Sequence, residues 1–234
     1  MIPFSKGESI IIACDNSGAI GDKEMDAVHV PYEMVSYFCF RTAVMECMAA
    51  GASPFALTVQ NFCGNAAWKD LMNGISQGKK ELGMEGISVT GSTESNFSLM
   101  QSAIGIMVLG KRSNSVIGEV PITDRVQLAV IGAPLVGNEV MERKQEIAPL
   151  SLFKEFCSMP DIVLQPVGSK GILYELNQIF ADRGFEEHMV QTTIDLKKSS
   201  GPSTCFIIAF PKEKAGEVQT MAGQYFHEIN IELK

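Results

Sequence analysis

The apolar and polar positions in the first half of the chain alternate in blocks that predict strands and helices in turn. Residues 9–14 form an apolar run ending at Asp15, which indicates a buried strand followed by a polar, glycine-bearing loop as far as Asp22. The later predicted elements are a strand at 27–30, a helix at 33–50, a strand at 54–62, a helix from Asn65, and strands at 86–90 and 99–109 around a polar loop, 91–98.

The polar segment 111–124 contains Gly118 and Pro121 and predicts a boundary between two domains, residues 1–112 and 122–234. The second domain is predicted to contain strands at 125–131, 189–194, 205–210 and 228–232 and helices near 150–156, 171–182 and 213–221. Alternating strands and helices indicate a layered structure of the α/β (α+β) class.

Composition and charge narrow the function classes. The 234 residues are 46% hydrophobic and 20% charged, which is enough apolar material for a folded core. The formal net charge of -8 repels a phosphate backbone, so nucleic acid is not an expected partner. A magnesium nucleotide suits an acidic protein better, because the metal bridges carboxylates and phosphates.

The cysteines and the apolar stretches indicate a cytoplasmic protein without a membrane partner. The six cysteines are widely spread, mostly in apolar runs, and form no CxxC pair, so free thiols are expected rather than disulfides. The N-terminus lacks the pattern of a signal peptide. The longest apolar stretches, such as 104–109, are too short to span a bilayer.

Four acidic residues are candidates for a metal or nucleotide site. For Asp15 and Asp26, at the ends of predicted strands, a turn or surface position is an equally good interpretation. Glu46 lies in an apolar, small-residue stretch, where a buried carboxylate needs a metal or an ion-pair partner such as Arg41. Glu94 lies in a Gly/Ser/Thr loop that suits close approach of phosphates, or is a plain surface residue.

Two glycine-bearing loops of the second half are further candidates. Residues 167–171 (VGSKG) precede an apolar-periodic stretch, so free amides at a helix N-terminus, with Lys170 beside them, would suit an anion. A simple cap by Ser169 is at least as good an interpretation. Residues 200–204 (SGPST) are a ligand loop or only a turn before a strand. The chain contains no Walker-type loop, dinucleotide fingerprint, GxSxG elbow or protein-kinase signature.

The order of short segments in the first half resembles the aminoimidazole ribonucleotide synthetase-like superfamily, which includes thiamine-monophosphate kinases, selenophosphate synthetases and a hydrogenase maturation protein. Residues 14–18 (CDNSG) resemble its GDDAA-type segment, and residues 26–31 (DAVHVP) loosely resemble the aspartate- and histidine-bearing segment that follows. Residues 45–54 (MECMAAGASP) closely resemble SDxxAMGAxP, with Glu46 in the acidic place. Residues 90–94 (TGSTE) resemble GGDT, although serine replaces the acid and Glu94 is left to substitute for it.

The resemblance implies a two-domain fold, in which an N-terminal sheet with its helices forms a barrel-like homodimer core and a C-terminal α/β sandwich follows. It implies ATP and Mg²⁺ as cofactors, both held by residues 1–112. The implied magnesium ligands are Asp15, Asp26, Glu46 and Glu94, of which Asp15 and Asp26 are also the catalytic candidates. The implied nucleotide-binding residues are Asn16, Lys23, Arg41, Gly91, Ser92 and Thr93. The implied substrate-side residues are His29, Ser169, Lys170, Gly201 and Ser203.

Within this superfamily, short chains with GSTE- and VGSKG-like loops resemble the α-ribazole kinases of cobalamin salvage, which phosphorylate the ribose 5′-hydroxyl of α-ribazole. The expected function is therefore an ATP-dependent kinase with an alcohol acceptor and a nucleoside-like substrate. Two alternatives stay open. One is a different enzyme of the superfamily, either a thiamine-monophosphate-kinase-like enzyme or an ATP-dependent ligase or cyclase. The other is a non-catalytic nucleotide-binding regulatory protein, which the serine at position 92 keeps open.

Overall fold

The computed structural model describes residues 1–113, 125–180 and 184–231. The chain divides into two compact units, Met1–Val116 and Ile117–Lys234. Most of the polar segment in which the domain boundary is predicted lies outside the described residues, as do the predicted ends of one helix at Asp182 and of the last strand at Glu232.

The first unit consists of a five-stranded sheet, two helices and a small parallel strand pair. Its elements are β1 (Ile2–Pro3), β2 (Glu8–Gly18), β3 (Ile20–Gly21), β4 (Val28–His29), α1 (Tyr32–Ala49), β5 (Ser53–Asn61), α2 (Trp68–Glu81), β6 (Ser88–Thr93) and β7 (Ala103–Ser113). The sheet order is β1-β2-β7-β5-β6, with β5 and β6 parallel and the other neighbours antiparallel. The pair is β3 with β4.

The antiparallel pair of β2 and β7 forms the centre of the sheet. It runs from Glu8 opposite Ser113 to Gly18 opposite Ala103. The predicted loop at 15–22 is therefore wrong in its first part, because the strand continues to Gly18. Pairing with β7 provides backbone partners that the local polarity of the sequence does not reveal.

Helices α1 and α2 cover one face of this sheet and pack closely against each other. Two glycines of α2 make this possible: a methyl group at Gly74 would overlap the carbonyl oxygen of Glu33, and one at Gly78 would overlap the ring of Phe40. Leu71 and Ile75 of α2 are buried in this contact.

The other face of the sheet is open among the described residues. We call it the open face; it is lined by Ile12, Cys14, Phe55, Met107 and Leu109, and Ile12 lies opposite Leu109 and Cys14 opposite Met107. The side chains of Ile12 and Phe55 are 39% and 40% exposed. An apolar strip of this kind on a sheet marks a surface that another element or molecule can cover.

The second unit is an antiparallel sheet with helices. Its elements are β8 (Val126–Ile131), α3 (Glu139–Glu142), α4 (Leu150–Cys157), β9 (Val163–Pro166), α5 (Gly171–Ile179), β10 (Val190–Gln191), β11 (Phe206–Pro211), α6 (Ala215–Ala222) and β12 (Phe226–Ile231). The sheet order is β10-β12-β8-β11-β9. The core includes Phe153 of α4, whose ring meets that of Phe206 edge-on at 5.0 Å. The strand predicted at 189–194 is reduced to β10, and β9 and α3 are not anticipated by the sequence pattern.

The thiols and the helices bear on two further expectations. All six cysteines are free, which confirms the expectation of unpaired thiols. None of the helices in the described parts of the chain combines the length and apolar character that a membrane crossing requires.

Candidate functional site

A cavity of about 460 Å³ opens in the first unit where β5 and β6 end. Three segments form its walls: the connection after β3, the turn after β5, and the loop between β6 and β7. We call it the loop cavity; it is lined by Lys23, Glu24, Phe62, Cys63, Gly64, Asn65, Glu94, Ser95, Phe97, Ser98, Leu99 and Met100. Its volume falls within the range of roughly 300–1,000 Å³ that is typical of small-molecule sites.

The turn after β5 is held by the fully buried amide of Asn61. Its Nδ2 donates to the carbonyl oxygen of Gly64 at 3.0 Å and to Oγ1 of Thr93 at 3.1 Å, and its Oδ1 accepts from the N–H of Cys63 at 2.8 Å. Gly64 has a φ of 95°, which favours glycine. These bonds fix one wall of the loop cavity to the ends of both strands.

Lys23 bridges two other walls of the loop cavity. Its ammonium donates to the carbonyl oxygens of Leu99 at 2.9 Å and Phe62 at 3.2 Å. A lysine ammonium has three N–H donors, so one is left for a ligand. Lys23 is thus the predicted nucleotide-binding residue that lines the loop cavity.

Asp26 ties the loop between β6 and β7 to the segment after β3. It is 7% exposed. Its Oδ1 accepts from the N–H of Ser102 at 2.7 Å, and its Oδ2 accepts from Oγ of Ser102 at 2.7 Å and from the N–H of Lys23 at 2.8 Å. Burial acts to raise the pKa of Asp26, but these hydrogen bonds outweigh it and lower the pKa below its ordinary value. The ionised carboxylate therefore holds two walls of the cavity together.

Glu94 begins the loop between β6 and β7 and shapes it. Its Oε1 accepts from the N–H groups of Asn96 at 2.6 Å and Phe97 at 3.3 Å. The loop is predicted to start at Gly91, but β6 continues to Thr93 because these residues pair with β5. Glu94 therefore faces the loop cavity from the strand end, as a loop-forming residue with a second carboxylate oxygen to spare.

Asp15 lies on β2 and faces α1, where its carboxylate accepts hydrogen bonds from the side chains of Cys39 and Thr42. Burial raises the pKa of Asp15 to about 6, and these bonds, together with the N–H of Asn16, offset the rise only in part. A carboxyl group that titrates near neutrality suits proton transfer. Asp15 therefore stays a catalytic candidate.

Glu46 does not have the surroundings that its sequence neighbours predict. Its side chain is exposed on α1. The pKa of the Cys14 thiol is raised, chiefly by the partial burial of that thiol and secondly by the negative charge of Glu46. Arg41, five residues earlier, is fully buried instead. The expectation of a buried Glu46 is therefore wrong, because it lies on the side of α1 that neither the sheet nor α2 covers.

Replacing Glu46 with glutamine is expected to change the free energy of unfolding by no more than about 0.5 kcal/mol, because exposed charges contribute little to stability. Urea unfolding of the wild type and the Glu46→Gln variant at pH 7 measures this. A loss of about 2 kcal/mol or more would show instead that the carboxylate is in a buried ion pair.

Arg41 belongs to the contact between α1 and α2. Its guanidinium donates to Tyr37, whose hydroxyl donates in turn to Oε2 of Glu81 at 2.7 Å. Burial raises the pKa of Tyr37 to about 12. Because Arg41 is fully buried in this contact, the structure gives it a structural role in place of the predicted role in nucleotide binding.

Two of the remaining nucleotide candidates share a row across the open face. Asn16 pairs with Gly105, Gly105 with Gln60, and Gln60 with Ser92. We call these four residues the polar row. Gly91 is different: a methyl group there would overlap the carbonyl oxygen of Val59, so its role is close packing of β6 on β5. Thr93 accepts the hydrogen bond from Asn61 described above.

The predicted anion site at 167–171 is covered by the chain itself. At Gly171, where φ is 79°, a methyl group would press on the backbone of Leu196 and Lys197 at 2.8–2.9 Å. The N–H of Leu173 donates to the carbonyl oxygen of Leu196 at 2.9 Å. The N–H groups of Gly171 and Leu173 are therefore engaged within the chain, which contradicts the predicted set of free amides at the start of α5.

The other substrate candidates are divided between exposed and structural positions. Ser169, Lys170 and His29 are exposed, and the ammonium of Lys170 lies 4.2 Å from the ring centroid of Tyr174. Ser203 is buried, with a φ of 46°. Its turn, which includes Gly201, anchors β11 to the segment after β8 through buried hydrogen bonds. Ser203 therefore has a structural role.

The four predicted magnesium ligands do not form one cluster. Asp15 pairs with Ile106, whereas Asp26 accepts a hydrogen bond from Ser102, four residues before Ile106. At the rise of an extended strand, four residues span about 13 Å. Within the described ranges, no three acidic, histidine or cysteine side chains are grouped to hold a metal ion. The donor set of a single chain therefore does not fit a four-carboxylate magnesium site.

Sequence reasoning missed most of the residues that line the loop cavity. Glu24, Phe62 and Asn65 lie in short connections with no distinctive pattern. One signal was present: Phe97, Leu99 and Met100 place large apolar side chains in an otherwise polar loop.

Comparison with known proteins identifies the fold. No family model and no curated protein matches the chain. The solved structure of E. coli HypE, a hydrogenase maturation protein, matches with a TM-score of 0.63 and 12% identity, over 94% of this chain and 78% of that chain. HypE in complex with ATP matches with a TM-score of 0.57 and 13% identity, over 94% and 76%. T. maritima PurL complexed with ATP matches with a TM-score of 0.61 and 13% identity, over 99% of this chain and 42% of that chain.

These likenesses establish the architecture. The chain has the mixed α/β fold of HypE and of the matching part of PurL, so the predicted fold class is confirmed. At 12–13% identity the likeness concerns the fold, so the activity follows from the site and is argued below.

Proposed function

We propose that the chain is an ATP-dependent enzyme that transfers a phosphoryl group to a hydroxyl of a small molecule bound in the loop cavity. The observation that carries this proposal is the position of the cavity beside the polar row. Gln60 and Ser92 pair with each other, and the cavity-lining residues Phe62 and Glu94 follow them by two residues, directly after the ends of β5 and β6. Phosphoryl transfer depends above all on two ligands held side by side.

ATP is proposed to bind along the polar row, where Asn16 and Ser92 are the predicted contacts. Solved structures of the same fold, HypE and PurL, are described with bound ATP, which supports ATP as the nucleotide. Magnesium is proposed as the ion that accompanies ATP, since phosphates and one or two carboxylates are its usual ligands. The free thiols agree with a cytoplasmic setting.

A homodimer through the open face is part of the proposal. Ile2, Phe4, Ile12 and Phe55 are between 39% and 63% exposed. A second sheet packed on this face would bury these side chains and enclose the polar row at its edge. This agrees with the barrel-like dimer core that the sequence resemblance implies.

The acceptor proposed first is α-ribazole, because of the sequence resemblance. The test incubates the protein with Mg-ATP and a panel of α-ribazole, thiamine monophosphate and ordinary nucleosides, and identifies phosphorylated products by mass.

The Lys23→Met variant is expected to lose at least about tenfold in kcat/KM, since it loses a charge-assisted contact in the cavity. Lys79→Met is the matched control, because Lys79 also donates to a backbone carbonyl, that of Ile87 at 2.7 Å, but lies outside the cavity. Equal losses in both variants, or no product from any acceptor, would count against the proposal.

A second candidate is an ATP-dependent ligase or cyclase, in which ATP activates a carbonyl or amide oxygen. It is favoured by the likeness to PurL, which is also described in complex with FGAR. This reaction releases free phosphate, whereas a kinase leaves the phosphoryl group on the acceptor. A regulatory protein that binds ATP without turnover would give neither product.

A further inference from the structure

The charged groups that line the loop cavity carry a net negative charge. They are Lys23, Glu24 and Glu94. The ammonium of Lys23 is already engaged by two carbonyl oxygens. Glu24 is exposed and makes no hydrogen bond or ion pair with any residue that the structure describes. An incoming phosphate would therefore meet two carboxylates and one partly engaged ammonium, and the sum is repulsive.

The apolar side chains of the cavity are unusually exposed. Phe97 is 80% exposed, Met100 66%, Leu99 43% and Phe62 41%. The backbone that presents Phe97 is held in place, because its N–H donates to Glu94 and the next turn is tied to Lys23. Exposed aromatic faces on a fixed loop are suited to stacking against a planar ring.

The polar groups of the cavity are suited to hydroxyl groups. Glu24 and Oε2 of Glu94 accept no hydrogen bond from the described residues and are acceptors for hydroxyl donors. Ser95, Ser98 and Asn65 add groups that both donate and accept. A carboxylate that accepts from sugar hydroxyls is a common mode of ribose recognition.

We infer that the loop cavity selects an uncharged, nucleoside-like ligand, a planar ring joined to a hydroxyl-bearing sugar, and rejects the phosphate ester of the same molecule. This rests on the proposed function, since it gives the cavity to the acceptor and leaves the phosphates of ATP to the polar row. It also favours release of the product, because the phosphorylated product is repelled by the same carboxylates that bind the substrate.

The test compares adenosine with AMP as probes, by isothermal titration calorimetry at low ionic strength in EDTA. AMP is expected to bind at least about tenfold more weakly than adenosine, because no metal screens its phosphate from Glu24 and Glu94. The difference is expected to shrink as salt is added. Equal or tighter binding of AMP, or no binding of adenosine, would overturn the inference.

Variants test whether Glu24, Glu94 and Phe97 cause the preference for adenosine over AMP. In the double variant Glu24→Gln, Glu94→Gln, the preference for adenosine is expected to fall to about threefold or less, while glutamine at 94 keeps an acceptor for the loop amides. Phe97→Ala is expected to weaken both ligands about tenfold and to keep their ratio. Glu85→Gln and Tyr174→Ala, at exposed positions outside the cavity, are the matched controls and are expected to change neither affinity.

An unchanged ratio in the double variant, or unchanged affinities in Phe97→Ala, would overturn the inference. The two proposals fail separately. Product formation from Mg-ATP together with tighter binding of AMP would contradict the inferred ligand selectivity and support the proposed kinase function. The expected preference for adenosine without any transfer of phosphate would contradict the proposed kinase function and support the inferred ligand selectivity.

Discussion

The Asp15→Asn variant is expected to be more stable than the wild type by roughly 2–3 kcal/mol at pH 7–8. Burial against α1 raises the pKa of Asp15 from 3.8 to about 6, so the ionised carboxylate is less stable in the folded protein than in the unfolded chain. Asparagine removes that charge and keeps an oxygen that accepts from Thr42. A group that lowers stability at neutral pH is typical of a functional site.

The sign of the effect sets its pH dependence. Because the pKa is higher in the folded state, the folded protein binds more protons between pH 3.8 and about 6, and its stability falls as the pH rises through that window. The advantage of Asp15→Asn is therefore expected to be near zero below about pH 3 and complete above about pH 7. Urea unfolding across this range measures it.

Asp26→Asn is the matched control, with the opposite sign. The pKa of Asp26 is lowered in the folded state, so its ionised form contributes stability at neutral pH that is lost as the pH falls through its folded pKa. Asp26→Asn is expected to destabilise the protein at pH 7. If Asp15→Asn is instead destabilising at pH 7, the position of Asp15 against α1 is wrong.

Replacing Gly74 with alanine is expected to destabilise the first unit by about 3 kcal/mol. The added methyl group would overlap the backbone oxygen of Glu33 and Oγ of Ser36, so α1 and α2 must move apart. The better helix propensity of alanine returns only about 1 kcal/mol. Thermal and urea unfolding measure the loss.

Gly216→Ala is the control for this effect. Gly216 also lies in a helix, α6, but no atom lies within 4 Å of a methyl group placed there. It is expected to stabilise the protein by up to about 1 kcal/mol. A Gly74→Ala variant that is as stable as the wild type would contradict the close packing of the two helices.

Local patterns predict the elements whose burial is regular along the chain. The helix predicted at 33–50 is Tyr32–Ala49, and the strand predicted at 54–62 is Ser53–Asn61. The pattern fails at β2, where a run of polar residues stays in the sheet because β7 pairs with it to Gly18. Long-range pairing of this kind leaves no local signal.

The positions of charged residues on α1 could be predicted only in part. Arg41 and Glu46 are five residues apart, which separates them by about 140° around a helix, so they cannot share a face. Because α1 is apolar on nearly every side, the sequence does not reveal that Arg41 is the buried one. The loop cavity is hidden for another reason: its lining comes from three separate segments that only the fold brings together.

The fate of the γ-phosphate of ATP tests the central claim most directly. The protein is incubated with magnesium and ATP labelled at the γ-phosphate, together with α-ribazole and a set of nucleosides, and the labelled products are separated. The proposed function predicts that the label appears on one of these acceptors in an amount equal to the ADP formed, and that Lys23→Met reduces this amount. Label found only in free phosphate, or left entirely in ATP, would contradict the claim.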